Sequence, residues 1–421
     1  MVSEPEWIRH AIFWHVYPLG FTGAEPAATD GTTHRLPQLE TWLDYAISLG
    51  VSGIALGPVF ASETHGYDTV DYFRVDSRLG DRADFDRFVE AAHQRGLRML
   101  LDGVFNHVGR GFAAFAEGPS PEWFQLTGDG YAHFEGHAHL PTLNHASPVV
   151  RDHITEVMCH WLDAGADGWR LDAAYAVPQD FWADVLARVR DRHPEAYLVG
   201  EVIHGDYTEI VEHTGMHSVT QYELWKGIWS SLRDRNLHEL AWALQRHCGF
   251  LDTFVPLTFV GNHDVTRIAS QVDEHLLPHA LAMLFTTAGT PSVYYGDEQA
   301  YRGVKEDRVG GDDDIRPRYP AEGPAGLAPW GQDTFRLHQD LIGLRRRHPW
   351  LHTARTTASQ VTNTTAVFEA TDGEHRLFTL LNLRPAPARL TVPPPSSLLL
   401  GTATVREGAV ELPGHGWAVL G

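Results

Sequence analysis

The sequence predicts an α/β fold: a (β/α)8 TIM barrel with a short lobe inserted after its third strand and an all-β sandwich domain at the C-terminus. Three observations lead to this prediction. Eight short apolar runs alternate with longer amphipathic stretches along most of the chain. An excursion too long for an ordinary loop follows the third run. The final segment changes to short alternating runs that are separated by turn residues.

The eight apolar runs have the length and the β-branched or aromatic content of buried parallel strands. They lie at 12–17, 51–57, 97–102, 167–171, 196–200, 217–220, 254–260 and 291–295. Helical spacing of apolar residues fills the intervals at 36–49, 82–95, 147–164, 178–192, 222–247 and 273–286, and recurs near 332–347. A doubly wound open sheet is the alternative. No glycine-rich phosphate turn follows the first strand, which favours the closed barrel.

These patterns divide the chain into three predicted parts. Residues 1–107 and 147–350 form the barrel. Residues 108–146 form a small lobe over the barrel mouth. Residues 353–421, with runs such as TTAVFEA and HRLFTLLNL, form a separate β-sandwich domain.

The composition restricts the classes of function. The chain has 421 residues, 43% of them hydrophobic, and a formal charge of −21, which argues against nucleic acid as a partner because a phosphate binder needs a basic face. No basic and apolar leader and no run of about 18 apolar residues occurs, so we expect no membrane association. The two cysteines provide no disulfide framework, which fits a cytoplasmic protein. The oligomeric state is left open.

Polar side chains follow several predicted strands, at the end where a barrel of this kind places its chemistry. They are Asp102, Asn106, His107, Arg170, Asp172, Glu201, His263 and Asp264. Because alternate residues of a strand face the same side, Arg170 and Asp172 are expected to point together toward the barrel mouth. There Arg170 is expected to keep Asp172 ionised.

Three of these side chains, Asp172, Glu201 and Asp264, are carboxylates expected to converge on one site. Carboxylates brought close together raise one pKa, so that one acid stays protonated beside an ionised neighbour. Cleavage of a glycosidic bond requires such a pair: a nucleophile at the sugar carbon and an acid at the leaving oxygen. Taken alone, each strand-end aspartate is typical of a helix cap, so the set carries the prediction.

Six segments in order resemble the signatures of the α-amylase family, glycoside hydrolase family 13. They are GVSGIALGPVF at 50–60, DGVFNH at 102–107, GWRLDAA at 168–174, GEV at 200–202, FVGNHD at 259–264 and GTPSVYYGDE at 289–298. The resemblance spans residues 11 to about 350. It implies a barrel with a lobe after the third strand, a C-terminal β-sandwich, and retaining cleavage of α-glucosidic bonds.

The resemblance also implies catalytic roles for particular residues. Asp172 matches the nucleophile and Glu201 the general acid/base. Asp264 matches the carboxylate that binds sugar hydroxyls and stabilises the oxocarbenium-like ring. Arg170 matches the residue that orients the nucleophile and keeps it charged.

A second set of residues matches positions around the sugar that precedes the cleaved bond. His107 and His263 match donors to its hydroxyls, and Tyr67 matches an aromatic platform under its ring. His65 is a further candidate in the same subsite. Packing alone is the alternative for each of these residues.

Departures from the family pattern bear on the leaving-group side and on metals. Tyr175 and Ala176 stand where endo-acting amylases often have Lys-His, and Ile203 stands where many relatives have Trp. Thr142 replaces an acidic residue that commonly helps to hold calcium, which leaves Asn106 as a candidate ligand. We therefore expect no required metal and no other cofactor.

These departures and the short lobe favour a small oligosaccharide as substrate, as in intracellular α-glucosidases, cyclomaltodextrinases and neopullulanases. Asp68 is expected to pair with Arg316 from the loop after the eighth strand, which would close the non-reducing end and favour exo action. Two alternatives stay open. One is a transglycosylase or an isomerase such as a trehalose synthase on the same scaffold. The other is a non-catalytic carbohydrate-binding or scaffold protein, against which the three carboxylates argue.

Overall fold

Eight parallel strands form the central sheet of the computed structural model, which describes residues 3–128, 130–308, 310–394, 396–406 and 409–421. We label them β1 Phe13–Val16, β2 Gly53–Leu56, β3 Arg98–Gly103, β4 Gly168–Leu171, β5 Tyr197–Gly200, β6 Ser218–Val219, β7 Leu257–Phe259 and β8 Thr290–Tyr294. Their order in the sheet is β6-β5-β4-β3-β2-β1-β8-β7, and a parallel bridge from Thr220 to Leu257 joins the two edges. The predicted barrel is confirmed, with each strand inside its predicted run or within one residue of it.

Helices alternate with these strands along the chain. They are Pro18–Thr22, Leu36–Glu40, Leu43–Leu49, Arg82–Gln94, Ala113–Ala116, Pro148–Asp163, Gln179–Arg192, Tyr207–Thr214, Tyr222–Arg233, Leu237–Phe250, Ile268–Gln271, Leu277–Thr286 and Gln332–Arg347. None of the described helices is both long enough and apolar enough to cross a bilayer.

Two predicted helices, 36–49 and 222–247, are each split in two. Arg235 adopts a left-handed conformation with φ of 51°, which a right-handed helix does not contain, so the second of them breaks there. In the first, the Thr41 hydroxyl donates a 2.7 Å hydrogen bond to the Gln38 carbonyl. Such a side-chain bond competes with the backbone hydrogen bonds of the helix. The spacing of apolar residues does not reveal this competition, so the sequence pattern did not predict the break.

A hairpin that the sequence analysis did not predict follows β2, with strands Phe60–Ser62 and Thr69–Val75. Arg78 and Asp76 form a buried ion pair at its base, with 2.7 Å between Nη2 and Oδ2. Because both side chains are fully enclosed, their mutual hydrogen bonds must replace water, and they hold the hairpin in place. Its tip carries Tyr67 to the barrel mouth.

The segment between β3 and the next long helix forms a small lobe. It holds the helix Ala113–Ala116 and a short pairing of Leu126–Thr127 with Gly130–Tyr131. An antiparallel bridge from His107 to Thr142 attaches it to the segment that follows β3, and a bridge from Phe124 to Leu143 pairs two segments within the lobe. The lobe therefore lies on the barrel side where the strands end.

The C-terminal part is a sandwich of antiparallel sheets, as predicted. One sheet has five strands and the other has three: Arg355–Ser359, Thr365–Thr371, Arg376–Asn382, Trp417–Leu420 and Leu398–Gly401 in the first, and Ala388–Thr391, Ala409–Leu412 and Thr404–Arg406 in the second. Val367 and Leu380 of the first share a core with Val410 and Leu412 of the second. The hydroxyl of Thr379 donates a 2.8 Å bond to Thr286 of the barrel.

Six buried histidines make the stability of this fold depend on pH. Burial lowers the pKa of each to about 4: His107, His145, His217, His247, His279 and His338. In the unfolded chain these histidines bind protons near pH 6.5, whereas in the native state they do not. Between the two pKa values, each histidine therefore lowers the free energy of unfolding by at most about 1.4 kcal/mol for each pH unit of acidification. This stabilisation is complete above about pH 6.5 and is lost as the pH falls toward about 4.

We therefore expect these histidines to lower the Tm between about pH 7 and about pH 4.5, against a smaller opposing contribution from buried acids such as Asp297, whose pKa burial raises to about 7. His338→Gln should reduce the slope because one buried proton acceptor is removed. The matched control is His375→Gln, since this exposed histidine has its pKa raised by Asp372 and should not reduce the slope. A Tm that is flat over this interval would contradict the prediction.

Candidate active site

A cavity of about 690 Å³ lies beyond the carboxyl ends of the barrel strands. Six of the predicted site residues line it: Asp172, Glu201, Asp264, His65, Tyr67 and His107. The strands β4 and β5 end at the residue directly before Asp172 and Glu201, respectively, and β7 ends a few residues before Asp264. Convergence of these strand ends brings the three carboxylates to one cavity.

The guanidinium of Arg170 forms the floor of this site. Its Nη1 lies 2.7 Å from Asp102 and 3.2 Å from Asp172, and its Nη2 lies 2.7 Å from Glu201. All four side chains are buried, so each charge depends on these contacts. Asp102 was recognised as a strand end but not predicted as a site residue. Its register beside Arg170 in the neighbouring strand is the signal that could have found it.

Opposing influences act on the charge of Asp172. Burial and the charge of Glu201 raise its pKa well above the ordinary value, although Arg170 opposes them. The expected contact with Arg170 is present, but the guanidinium is divided among three carboxylates and its contact to Asp172 is the longest. Arg170 therefore favours the charged form of Asp172, while burial and Glu201 disfavour it.

Glu201 is held by donors on both carboxyl oxygens. Oε2 accepts the backbone N–H of Ala173 at 3.0 Å, and Oε1 accepts the hydroxyl of Tyr222 at 3.1 Å. Ala173 follows Asp172 directly and has φ of 44°, a left-handed conformation that is strained for a residue with a Cβ. The left-handed turn at Ala173 directs the backbone N–H of Ala173 toward Glu201. The residue types of the segment GWRLDAA do not indicate this turn.

Asp264 faces the same cavity in a different electrostatic environment. Its Oδ2 lies 2.9 Å from Nε2 of His263, and its Oδ1 lies 3.0 Å from Nη2 of Arg316. Although burial opposes the charged form, His263 and Arg316 hold the pKa of Asp264 well below its usual range. The pKa values of Asp264 and Asp172 are thus moved in opposite directions, which is typical of carboxylates with separate tasks.

The predicted pair between Asp68 and Arg316 is not formed. Asp68 accepts the backbone N–H of Thr64 at 3.1 Å and its hydroxyl at 2.5 Å, so it closes a turn at the tip of its own hairpin. Arg316 pairs with Asp264 at 3.0 Å and with Asp312 at 2.9 Å. Asp68 and Arg316 each have other partners, so no ion pair between them closes the non-reducing end of the cavity.

Tyr67 and His263 lie together beside the carboxylates. The Tyr67 hydroxyl donates to Asp102 at 3.0 Å and contacts Nε2 of His263. The two rings are parallel, with 5.3 Å between their centroids. Tyr67 therefore connects the cavity wall to the charged floor.

His107 has protein partners at both ring nitrogens. Its Nε2 donates to the Tyr67 carbonyl at 3.0 Å, and its Nδ1 faces the amide nitrogen of Asn106 at 3.1 Å. The predicted hydrogen bond from His107 to a sugar hydroxyl would need one of these contacts to be exchanged. The Nδ1 of His65 accepts the Tyr67 N–H at 3.2 Å, which leaves its Nε2 edge for the cavity.

Aromatic residues that the sequence analysis did not assign to substrate also line the cavity. Phe134 of the lobe stacks on His107 with 4.6 Å between ring centroids. The Tyr175 hydroxyl donates a 3.0 Å bond to Glu135 and so connects the lobe to the loop after β4. With Trp225, these rings supply flat apolar surface in addition to the exposed Ile203.

The residues near Asn106 do not fit a structural calcium ion. The Asn106 carbonyl accepts the N–H of Leu143 at 3.1 Å, and its side-chain amide faces His107. Calcium takes six to eight oxygen ligands, usually with carboxylates among them. In the described part of the chain, the one group of three ligand-type side chains close enough for a metal is His34, Asp81 and Asp84, in which Asp81 and Asp84 already form a helix capping box.

A parallel barrel whose β4, β5 and β7 ends bring three acids to one cavity, two of them on a shared guanidinium, has the arrangement of a glycoside hydrolase. The family described as Alpha amylase, catalytic domain, matches residues 16–126 and 118–365. The chain belongs to this α-amylase family.

Individual relatives agree with this family. A cyclomaltodextrinase of Bacillus sp is 29% identical over 400 residues, which cover 83% of this chain and 68% of that protein. An intracellular maltogenic amylase of Bacillus subtilis is 28% identical over 340 residues, which cover 70% of this chain and 56% of that protein. The chain thus spans between 56% and 68% of the length of these two relatives.

The solved structures include one of similar length. The debranching enzyme of Nostoc punctiforme, from crystals soaked in acarbose, is 29% identical with a TM-score of 0.83, and the alignment covers 100% of both chains. A cyclic α-maltosyl-(1→6)-maltose hydrolase of Arthrobacter globiformis is 25% identical, also with a TM-score of 0.83.

Proposed function

We propose that this protein hydrolyses α-glucosidic bonds of short maltooligosaccharides with retention of configuration. The observation that carries the proposal is the fork of Arg170 between Asp172 and Glu201 at the floor of one cavity, with Asp264 facing the same space. The names of the relatives support the substrate class: a cyclomaltodextrinase, intracellular maltogenic amylases and a neopullulanase of Thermoactinomyces vulgaris.

In the first step, an oxygen of Asp172 attacks the anomeric carbon. The bond from this carbon to the glycosidic oxygen breaks, and the proton of Glu201 moves to the departing oxygen. Asp172 must be ionised for this attack. Burial and the charge of Glu201 raise the pKa of Asp172 and Arg170 lowers it, so the bound substrate has to leave Asp172 without a proton.

In the second step, water attacks the anomeric carbon from the side that the leaving group has vacated. Glu201 accepts the proton of this water, and the bond to Asp172 breaks. Asp264 stays charged through both steps because its pKa is low, so it accepts hydrogen bonds from sugar hydroxyls and favours the positively charged ring of the transition state.

The wall residues favour a short substrate. Tyr67 supplies a flat ring for the reacting sugar, and Phe134, Tyr175 and Trp225 supply surface elsewhere in the cavity. The contact between Tyr175 and Glu135 joins the lobe to the barrel across one side of the cavity. A long, open cleft for a polymer would not be expected beneath such a contact.

A product profile tests this proposal. Incubation with maltose, isomaltose, maltotriose, cyclodextrin, pullulan and sucrose should give hydrolysis of the α-1,4-linked oligomers, with the α-anomer formed first. Accumulation of trehalose or longer maltosides instead of free glucose or maltose would assign the second step to a sugar acceptor rather than water. No cleavage of any of these sugars would contradict the proposal.

A cytoplasmic location is part of the same proposal. The two described cysteines, Cys159 and Cys248, are free thiols, and a reducing compartment keeps thiols in this form. Two of the curated relatives are named as intracellular enzymes.

The proposal also includes no required metal. Dialysis against EDTA should change neither the Tm nor the kcat on maltotriose, because the Asn106 carbonyl already accepts the N–H of Leu143 and Thr142 brings no carboxylate. Addition of Ca²⁺ to the dialysed protein serves as the matched control and should likewise have no effect. A Tm that drops with EDTA and recovers with Ca²⁺ would overturn this part of the proposal.

A further inference from the structure

We infer that Tyr222 and Asn262 form a hydrogen-bonded pair that positions the carboxyl group of Glu201 for proton transfer. The inference rests on the proposed function. Tyr222 begins the helix after β6, and Asn262 follows β7, so two different strand ends bring them together. The Tyr222 hydroxyl lies 3.1 Å from Oε1 of Glu201, and Nδ2 of Asn262 lies 2.8 Å from the same hydroxyl.

The backbone determines which way the Asn262 side chain faces. Its Oδ1 accepts the N–H of Asp264 at 2.9 Å. Because a backbone N–H can only donate, the atom facing it must be the amide oxygen, and the amide nitrogen must face Tyr222. The assignment of the two amide atoms therefore follows from the hydrogen-bonding pattern.

This orientation determines the direction of the Tyr222 hydroxyl. The amide nitrogen of Asn262 can only donate, so it occupies a lone pair of the Tyr222 oxygen. The hydroxyl hydrogen is then directed to its other neighbour, Oε1 of Glu201. Burial and the charge of Glu201 raise the pKa of the Tyr222 phenol well above its ordinary value, so the phenol remains a neutral donor.

The Tyr222 ring is held independently of its hydroxyl. It packs edge-on against Phe259 at 5.0 Å and against Trp225 at 5.7 Å between ring centroids. Replacement by phenylalanine keeps these contacts and removes the hydroxyl alone. Glu201 would retain the Arg170 and Ala173 contacts but lose one of the two donors on Oε1.

Tyr222→Phe tests the inference through the leaving group and the pH profile. The kcat/KM on maltotriose should fall about 10- to 100-fold, because a hydrogen bond to a charged group is lost. The loss should be several times smaller on p-nitrophenyl α-glucoside, whose leaving group needs little proton donation. The alkaline limb of the pH dependence of kcat/KM on maltotriose should move to higher pH, because the variant lacks the hydroxyl donor that favours the charged carboxylate of Glu201.

Asn262→Ala provides the second arm. In the wild-type background, Asn262→Ala should move the alkaline limb in the same direction as Tyr222→Phe. In the Tyr222→Phe background it should not move the limb, because both substitutions break the same chain of hydrogen bonds. Tyr295→Phe is the matched control: its buried hydroxyl bonds the Pro317 carbonyl at 2.9 Å and touches no catalytic carboxyl, so the limb should not move.

The outcomes separate the two hypotheses. Suppose that the wild-type protein cleaves maltotriose, but that Tyr222→Phe shows no shift of the alkaline limb and equal losses on both substrates. This result would overturn the positioning role of Tyr222 and Asn262 and leave the proposed function intact. Additive limb shifts in the double variant overturn it as well. Wild-type protein without activity on any maltooligosaccharide contradicts the proposed function itself.

Discussion

Asp172→Asn should lower kcat on maltotriose by at least about 10⁴-fold. An amide nitrogen or oxygen cannot form the ester-like bond to the anomeric carbon that the proposed first step requires. The substitution also removes one of the carboxylates around Arg170, so the protein should fold and bind sugar while losing chemistry. Steady-state kinetics with freshly purified, contaminant-free protein measures the loss.

Asp167→Asn is the matched control for this loss. Asp167 lies directly before β4, at the opposite end of the strand from Asp172, and its carboxyl pairs with Arg98 at 2.7 Å. It also accepts the N–H of Met99 at 2.7 Å, so the control should lower the Tm. We expect kcat to stay within a few-fold of wild type. An Asp172→Asn enzyme within tenfold of wild type would exclude Asp172 as the nucleophile.

Glu201→Gln should lower kcat/KM on maltotriose by about 10²- to 10⁴-fold, which is the usual contribution of a positioned acid or base. The glutamine side chain has nearly the same size but cannot release a proton to the glycosidic oxygen, and its single amide oxygen keeps only part of the hydrogen bonds that Glu201 accepts. The first step with p-nitrophenyl α-glucoside should be affected far less, because nitrophenolate departs without protonation. The alkaline limb of the pH profile should disappear in this variant.

The matched control is Glu223→Gln. Glu223 lines the same cavity, but its carboxyl pairs with Arg246 at 2.7 Å. Its loss should change KM more than kcat and should leave the alkaline limb in place. Equal losses on both substrates in Glu201→Gln would indicate a binding role for Glu201 and contradict its assignment as the acid.

The barrel could be predicted from the sequence because its determinants are local. Strands such as β4 and β5 are short apolar runs that a carboxylate follows directly. Parallel strands buried on both faces have this pattern, and their carboxyl ends must share one face of a closed barrel. Convergence of Asp172, Glu201 and Asp264 follows from that geometry alone.

Other features of the site depend on contacts between distant segments. The left-handed turn at Ala173 carries no sequence signal, and it provides a backbone donor to Glu201. The partners of Arg316 were predicted wrongly because Asp264 and Asp312 are nearer in space than Asp68, although spacing in the chain does not show it. Charge balance around Arg170 likewise depends on Asp102, which the register of β3 places beside it.

The covalent glycosyl-enzyme is the central claim, and its capture tests that claim most directly. The protein is incubated with a 5-fluoro-α-glucosyl fluoride, quenched in acid and digested with pepsin, and the peptides are analysed by mass spectrometry. We predict one additional fluoroglucosyl group on the peptide that contains Asp172, and none in Asp172→Asn. Labelling of a peptide without Asp172, or turnover that gives the β-anomer and no adduct, would contradict it.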